Sequence, residues 1–171
     1  MPISKILSGS LDSGKVLQIQ HTQFTGTSSS SISNNTDTAL TDLTVSITPT
    51  ATSSKILLQV HVCFESSISD YKINWMLFRD STVLKAPIVG SRKSIIAASC
   101  ASFYDDDNSS TPSTAVYQYF DTPSTTSSVT YKVGVISDGA STLYINRSVV
   151  DSDSSGYERG ISYISAAEIA G

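Results

Sequence analysis

The sequence predicts an all-β fold, an antiparallel, jelly-roll-like β-sandwich of about nine strands. Several segments alternate apolar and polar residues with the period of two that is typical of strands. Clusters of Ser, Gly, Pro, Asn and Asp separate these segments at regular intervals. Serine and threonine account for 34 and 18 of the 171 residues, and this composition favours turns and pleated strands over helices. No segment keeps a helical period.

The length fits one domain at 15–171, preceded by an N-terminal arm at 1–14. The net charge is -4 and no basic cluster occurs, which argues against binding to nucleic acid or to an anionic membrane surface. No stretch has the composition of a signal peptide or the roughly 20 apolar residues of a membrane span. We therefore expect synthesis and folding in a cytoplasm.

The arm combines aliphatic residues with residues that break regular structure. Ile3, Ile6, Leu7 and Leu11 are apolar, and glycine and serine separate them. A frayed terminus is the simpler alternative. Four large aliphatics in eleven positions nevertheless favour an arm that docks on another surface.

The first half of the domain contains the clearest strand patterns. The run at 55–64 places Ile56, Leu58, Val60, Val62 and Phe64 on one face. Its second face still carries Leu57 and Cys63, so we expect another sheet, a loop or a neighbouring subunit to cover that face as well. The other strands of this half are predicted at 15–24, 42–48 and 71–79, with a polar surface loop at 25–36.

Two turn signals predict hairpins. The segment at 79–82 precedes Val83 and Leu84, and the Asp-Gly pair at 138–139 precedes Leu143. Further extended segments are predicted at 94–104, 115–120, 129–136 and 143–147, and a closing strand at 161–169. A jelly roll is favoured over an immunoglobulin-like sandwich because the strand count is high and no Cys, Trp, Cys framework of suitable spacing occurs.

Candidate catalytic and metal-binding residues are few. His21 and His61 lie within strand patterns, outside any zinc, nucleophile-elbow or phosphate-loop motif. We expect no enzyme activity and no cofactor. Cys63 and Cys100 are predicted to be reduced core residues, and a disulfide between them is the alternative.

Two acidic clusters leave calcium open as an alternative. One comprises Asp105, Asp106 and Asp107; the other comprises Asp151, Asp153 and Glu158. Loop carboxylates are suitable calcium ligands, but neither cluster has the spacing of a calcium loop. Solvated acidic loops are the ordinary interpretation, and no metal site is predicted.

Several segments resemble a domain of structural proteins in tailed bacteriophages. They are 15–24, 44–62, 77–82, 122–133 and the C-terminal segment from 144 onward. The most specific part is the terminal motif R-G-I-S-x-I-x-x-x-E-I, formed by Arg159, Gly160, Ile161, Ser162, Ile164, Glu168 and Ile169. Ala166 and Ala167 occupy positions where bulkier apolar residues are more usual. Segment 85–111 matches least.

The resemblance implies a β-sandwich that assembles as a homotrimer and has a structural or adhesive role. Longer members carry a fibre shaft, whereas only fourteen residues precede the first strand here. We therefore expect a head decoration, or cement, protein on the outer capsid surface of the virion. Its partner would be the major capsid protein, with the arm docked in capsid grooves and the second face of the 55–64 strand packed about the threefold axis.

The alternative that the resemblance implies is a tail-fibre or receptor-binding tip protein associated with other tail proteins. In that case the polar loops at 25–36, 105–114 and 150–158 would contact host surface glycans. Tyr104, Tyr117, Tyr119 and Trp75 could supply stacking faces for sugars, although aromatics at alternate strand positions are usually core.

Overall fold

The computed structural model describes residues 14–68, 72–99 and 110–171. The described residues form eleven strands: β1 (Val16–Phe24), β2 (Ser28–Ile32), β3 (Thr38–Ile47), β4 (Lys55–Ser66), β5 (Ile73–Arg79), β6 (Thr82–Leu84), β7 (Ala97–Ala98), β8 (Ser113–Asp121), β9 (Val129–Ser137), β10 (Ser141–Ile145) and β11 (Ser162–Ile169). They make two antiparallel sheets that pack as a sandwich, which confirms the predicted fold class. None of the described segments is a helix with the length and apolar character needed to cross a bilayer.

The first sheet is built on both sides of β4. On one side β4 pairs with β11 and, further along, with β10; on the other side it pairs with β8. The outer neighbours are β1, which pairs with β11, and β2, which pairs with β10. The second sheet has the order β3-β9-β5-β6, with β7 also paired to β5.

Alternating side chains of β4 and β5 meet in the core between the sheets. The five predicted inward residues of β4, Ile56, Leu58, Val60, Val62 and Phe64, are each no more than 1% exposed. The ring of Phe64 meets the ring of Trp75 edge to face, with centroids 4.9 Å apart. Arg79 and Tyr131 of the second sheet both bind the Asp121 carboxylate of the first sheet, at 2.8 and 2.7 Å. Apolar burial and this buried polar cluster together fix how the sheets pack.

The predicted loop at 25–36 is wrong in part, because it contains β2. Serine side chains are small enough for this segment to form an edge strand along β10, and Ile32 is buried at its end. The predicted extended segment at 94–104 contains only β7 among the described residues. The strand total is therefore eleven, against about nine expected from the pattern.

The turn at 79–82 forms the predicted hairpin, with Leu77 opposite Leu84 and Asp80 at a positive φ of 53°. The Asp138–Gly139 turn does not form a hairpin. It carries the chain from β9 in the second sheet to β10 in the first. A turn motif fixes a local chain reversal, but long-range contacts decide which sheet receives the next strand.

The last two long strands lie end to end along β4 instead of pairing with each other. β10 lies opposite Phe64–Ser66 and β11 lies opposite Lys55–His61. Between them the chain leaves the sheet at Asn146 and returns at Gly160, where the Gly160 amide donates to the Asn146 carbonyl at 3.1 Å. We call the excursion between these two residues the 147–159 loop.

Candidate binding surface

The outward side chains of β1, β11, β4 and β8 form one continuous surface, which we call the outer face. They are Leu17, Ile19, His21 and Gln23 of β1; Tyr163, Ser165, Ala167 and Ile169 of β11; Lys55, Leu57, Gln59, His61 and Cys63 of β4; and Thr114, Val116, Gln118 and Phe120 of β8. Two residues on this side of the four strands carry a formal charge: Lys55 is exposed at one end of β4, and Glu65 is buried near the other end. Depletion of charge is a feature of the centres of protein interfaces.

An apolar row crosses the whole width of the outer face. Ile19 lies opposite Ala167, Ala167 opposite Leu57, and Leu57 opposite Phe120. The two inner members are half-buried by their neighbours, whereas Ile19 is 63% exposed and Phe120 is 62% exposed. The row is therefore open at both ends, on the two edge strands.

Aromatic side chains form a second row. The rings of His61 and Tyr163 stack with centroids 5.3 Å apart and planes 6° apart, and His21 lies 5.5 Å from Tyr163 on the other side. Val116 continues this row on β8 and is 66% exposed. His61 Nδ1 is shielded from solvent and has no hydrogen-bond partner among the described residues. The two histidines thus pack as aromatic groups on the surface of the sheet.

Among the described residues, the predicted cover over the second face of β4 is supplied only at its C-terminal end, where Glu65 is buried and accepts from the Thr111 and Val149 amides. Leu57 and Cys63 are half-buried, and Gln59 between them is exposed. Cys63 therefore lies on the outer face, and its predicted core position is wrong because the outward residues of β4 face away from the other sheet. It is a free thiol, and burial together with the nearby Glu158 carboxylate raises its pKa. Cys100 lies outside the described residues.

The arm residues Ile3, Ile6, Leu7 and Leu11 also lie outside the described residues. The first described residue, Gly14, already belongs to the sheet, since its amide donates to the Ala170 carbonyl at 2.8 Å. The arm thus joins the domain at the free edge of the first sheet, beside the exposed residues of β1.

The 147–159 loop contains the described acidic cluster. Asp151 pairs with Arg159 at 2.7 Å and with Arg147 at 3.6 Å, and Asp153 and Glu158 are exposed. Among residues 14–68, 72–99 and 110–171, no group of three potential ligands is placed to hold a metal ion. Asp105, Asp106 and Asp107 lie outside these ranges. The arginines make Asp151 a structural anchor of the loop.

The candidate sugar-stacking residues are mostly core residues. Trp75 is fully buried and donates from Nε1 to the Ser99 hydroxyl at 3.0 Å, and the Tyr117 hydroxyl donates to the Met76 carbonyl at 3.0 Å. Tyr119 is half-buried, and Tyr104 lies outside the described residues. Trp75 and Tyr117 are thus unable to stack on a ligand at the surface.

The terminal motif begins with a hydrogen-bond cluster where the chain re-enters the sheet. The Ser162 hydroxyl donates to Asn146 Oδ1 at 2.6 Å and accepts from the Cys63 amide at 3.0 Å. Asn146, which adopts a positive φ of 61°, donates from Nδ2 to the carbonyls of Phe24 and Gly26, both at 2.8 Å. These bonds join β1, β4, the end of β10 and the start of β11.

The motif continues to Glu168, which is fully buried at the other end of β11. Its Oε1 accepts from the Thr50 amide, the Thr50 hydroxyl and the Ser54 hydroxyl at 2.6–2.7 Å, and its Oε2 accepts from Gln18 Nε2 at 2.7 Å. Burial by itself raises the pKa of Glu168, but the hydrogen bonds from Ser54, Gln18 and Thr50 outweigh it and lower the pKa from 4.5 to about 2. The carboxylate therefore ties the β3–β4 connection to β1 and β11.

The lowered pKa of Glu168 predicts acid destabilisation. A carboxyl group whose pKa is lower in the folded state stabilises the fold fully above its unfolded pKa and loses that contribution as it is protonated. We expect the Glu168 contribution to be complete above pH 4.5 and to disappear as the pH falls towards 2. Urea denaturation between pH 6 and pH 2 would measure it by comparison with Glu168→Gln. The wild-type stability should fall more steeply below pH 4.5 than that of the variant, and parallel profiles would contradict the assignment.

The comparisons with known proteins give structural likeness only. No protein-family model matches the sequence, and no curated protein matches it. The chain is similar to the crystal structure of the infectious bursal disease virus VP2 subviral particle, at 11% identity and a TM-score of 0.38, over 89% of this chain and 41% of that one. It is also similar to a structure of the Gt strain of that virus, at 12% identity and a TM-score of 0.39, over 90% and 42%. The chain thus spans about two fifths of these structures.

Proposed function

We propose that this protein is a non-enzymatic structural component of a virus particle, a trimeric head decoration protein that binds the major capsid protein. The observation that carries the proposal is the outer face, a four-stranded surface with apolar rows and a single exposed charged residue, Lys55, in a chain of net charge -4. Large exposed apolar surfaces mark interaction sites. The resemblance to structural proteins of tailed bacteriophages supports a virion as the setting.

The size of the outer face suits assembly between copies. Four strands spaced about 4.8 Å apart and roughly nine residues long cover on the order of 500 Å² in projection. A standard interface buries about 800 Å² on each partner, so the outer face could supply the larger part of such an interface. In the proposed trimer it packs towards the threefold axis, as expected for the second face of β4.

The arm supplies the attachment to the capsid in this proposal. It carries the aliphatic residues Ile3, Ile6, Leu7 and Leu11 and ends at Gly14, which precedes β1 and donates to the Ala170 carbonyl. Burial of each such side chain contributes about 1.5 to 3 kcal/mol. Three arms on one trimer act together, so modest individual contacts give lasting attachment.

Removal of residues 2–13 is expected to abolish capsid binding without unfolding the domain. This truncation keeps Gly14 and its hydrogen bond to Ala170. Cosedimentation with capsids that lack the protein measures binding, and thermal denaturation checks the fold. A full-length control replaces Ser8, Ser10 and Ser13 by alanine, and a full-length test replaces the four aliphatics by serine. The alanine control should bind and the serine variant should not. Saturation of capsids by the truncated protein would refute the role of the arm.

Particle location distinguishes this function from the alternative, a receptor-binding tip. The alternative draws support from the 147–159 loop, because its residues 151–156 are exposed in a row. Immunogold labelling of intact particles should give regular label over the head. Label confined to the tail end, together with glycan binding by the purified protein, would support the tip instead.

A further inference from the structure

The exposed apolar side chains of this protein are concentrated on two strands. Nine large hydrophobic residues are exposed among those described, and five of them lie on β1 or β8: Val16, Leu17, Ile19, Val116 and Phe120. These strands are the two free edges of the same four-stranded part of the first sheet. The apolar rows of the outer face therefore end in exposed side chains at the places where a further strand could add.

Both edges carry little of the protection that normally prevents strand addition. Natural edge strands are usually short, bulged, or protected by lysine or proline. β1 and β8 are each nine residues long and contain no lysine, arginine or proline. β8 keeps an unbroken register with β4, and β1 has a single irregularity at its start.

The other described sheet edges are protected. β3 has a register shift between Ala39 and Thr44, β6 has three residues, and β2 has five. No backbone hydrogen bond from another described segment reaches the outer edge of 114–121 in β8. The contrast singles out β1 and β8 as the pair of edges available for pairing.

Strand direction makes the two edges complementary. β1 is antiparallel to β11, β11 to β4, and β4 to β8, so β1 and β8 run in opposite directions. Copies related by rotation about an axis parallel to the strands keep these directions. β8 of one copy then meets β1 of the next as an antiparallel pair, the more stable kind of pairing.

We propose that β8 of one copy pairs with β1 of a neighbouring copy, so that the first sheet continues across the boundary between subunits. This inference rests on the proposed trimer and adds the geometry of the contact between its subunits. Such a head-to-tail contact closes into a ring under cyclic symmetry. With Gln118 opposite His21, it also places Phe120 of one copy opposite Ile19 of the next.

The contact is large enough to hold two copies together. Two backbone strips about 30 Å long and about 10 Å deep contribute roughly 600 Å² in total. The exposed apolar side chains on both edges bring this area towards the roughly 1,200 Å² of the smallest stable interfaces. In a ring each copy makes the contact twice, which adds to its stability.

Disulfide trapping tests the pairing in purified full-length protein. In a continuous sheet, outward residues of β8 lie opposite outward residues of β1. Gln118→Cys in β8 is therefore combined in turn with Ile19→Cys, His21→Cys and Gln23→Cys in β1. All variants also carry Cys63→Ala and Cys100→Ser, so that the native thiols cannot form cross-links. At least one combination is expected to form covalent multimers on oxidation, while each single variant stays monomeric on a non-reducing gel. Cross-strand neighbours in a sheet approach closely enough for a disulfide, which makes the trapping specific for register.

Two outcomes would overturn the proposal. Dimers of the Gln118→Cys single variant would show that β8 pairs with β8. Absence of cross-links in every combination, with a monomeric mass by light scattering, would show that the copies do not pair. Because trapping needs no particle, covalent multimers that fail to bind capsids would refute the proposed function alone.

Discussion

Replacement of Glu168 by alanine is expected to lower the free energy of unfolding by roughly 2 to 4 kcal/mol, because it removes the charged acceptor of four hydrogen bonds, one of them from a buried donor. The Thr50 amide and the hydroxyls of Thr50 and Ser54 all donate to Oε1, and Gln18 donates to Oε2. Ser54 is 1% exposed, so its hydroxyl cannot turn to bulk water. Each buried donor left without a partner costs about 1 to 3 kcal/mol. Urea denaturation at pH 7 measures the change.

Glu158→Ala is the matched control for this substitution. Glu158 is an exposed glutamate in the 147–159 loop and accepts no side-chain hydrogen bond from the described residues. Its removal should change stability by less than about 0.5 kcal/mol, as is usual for surface positions. A Glu168→Ala effect within 1 kcal/mol of this control would contradict the role assigned to Glu168.

Substitution of Gly160 by alanine is expected to destabilise the fold by about 2 to 3 kcal/mol through overpacking. A Cβ at this position would overlap Cys63 Sγ and would lie 2.7 Å from Cys63 Cβ. The neighbour cannot retreat easily, because its own amide donates to Ser162 and its carbonyl accepts from Asn146. Position 160 thus requires glycine because Cys63 of β4 leaves no room for a Cβ. Thermal and urea denaturation measure the loss.

A second substitution on β4 tests that explanation. Cys63→Gly removes both clashing atoms, so the double variant should be more stable than the sum of the two single effects predicts, with a coupling of at least about 1 kcal/mol. Gly156→Ala is the control, since a Cβ at Gly156 meets nothing within 4 Å. Strict additivity of Gly160→Ala and Cys63→Gly would show that the clash is not the cause.

These positions give the terminal motif a physical meaning. Gly160 permits close approach to β4, Ser162 joins the hydrogen-bond cluster at Asn146, Ile164 is fully buried, and Glu168 closes the other end of β11. Arg159 anchors the 147–159 loop through Asp151. The most specific part of the resemblance is therefore explained by the construction of the sandwich. The phage relationship that it implies stays a prediction.

The candidate surface could be predicted only in part. The pattern at 55–64 identified a second apolar face that needed a cover, and the structure places Leu57 of this face in an apolar row across four strands. Nothing in the sequence indicated that Ile19 and Phe120 would mark the ends of that row. They are about 100 positions apart in the chain, and only the pairing of β1, β11, β4 and β8 aligns them.

Local periodicity and turn chemistry by themselves determined the all-β class, the inward face of β4 and the β5–β6 hairpin. These features depend on residues close in sequence, where the alternation of side chains fixes which face is apolar. Only the tertiary structure decided that the Asp138–Gly139 turn changes sheets, that β10 and β11 lie end to end, and that Ile19 and Phe120 end the same apolar row. Each of these depends on which distant strand offers the better burial and hydrogen bonding. That choice is a sum over long-range contacts, which no local segment of the chain encodes.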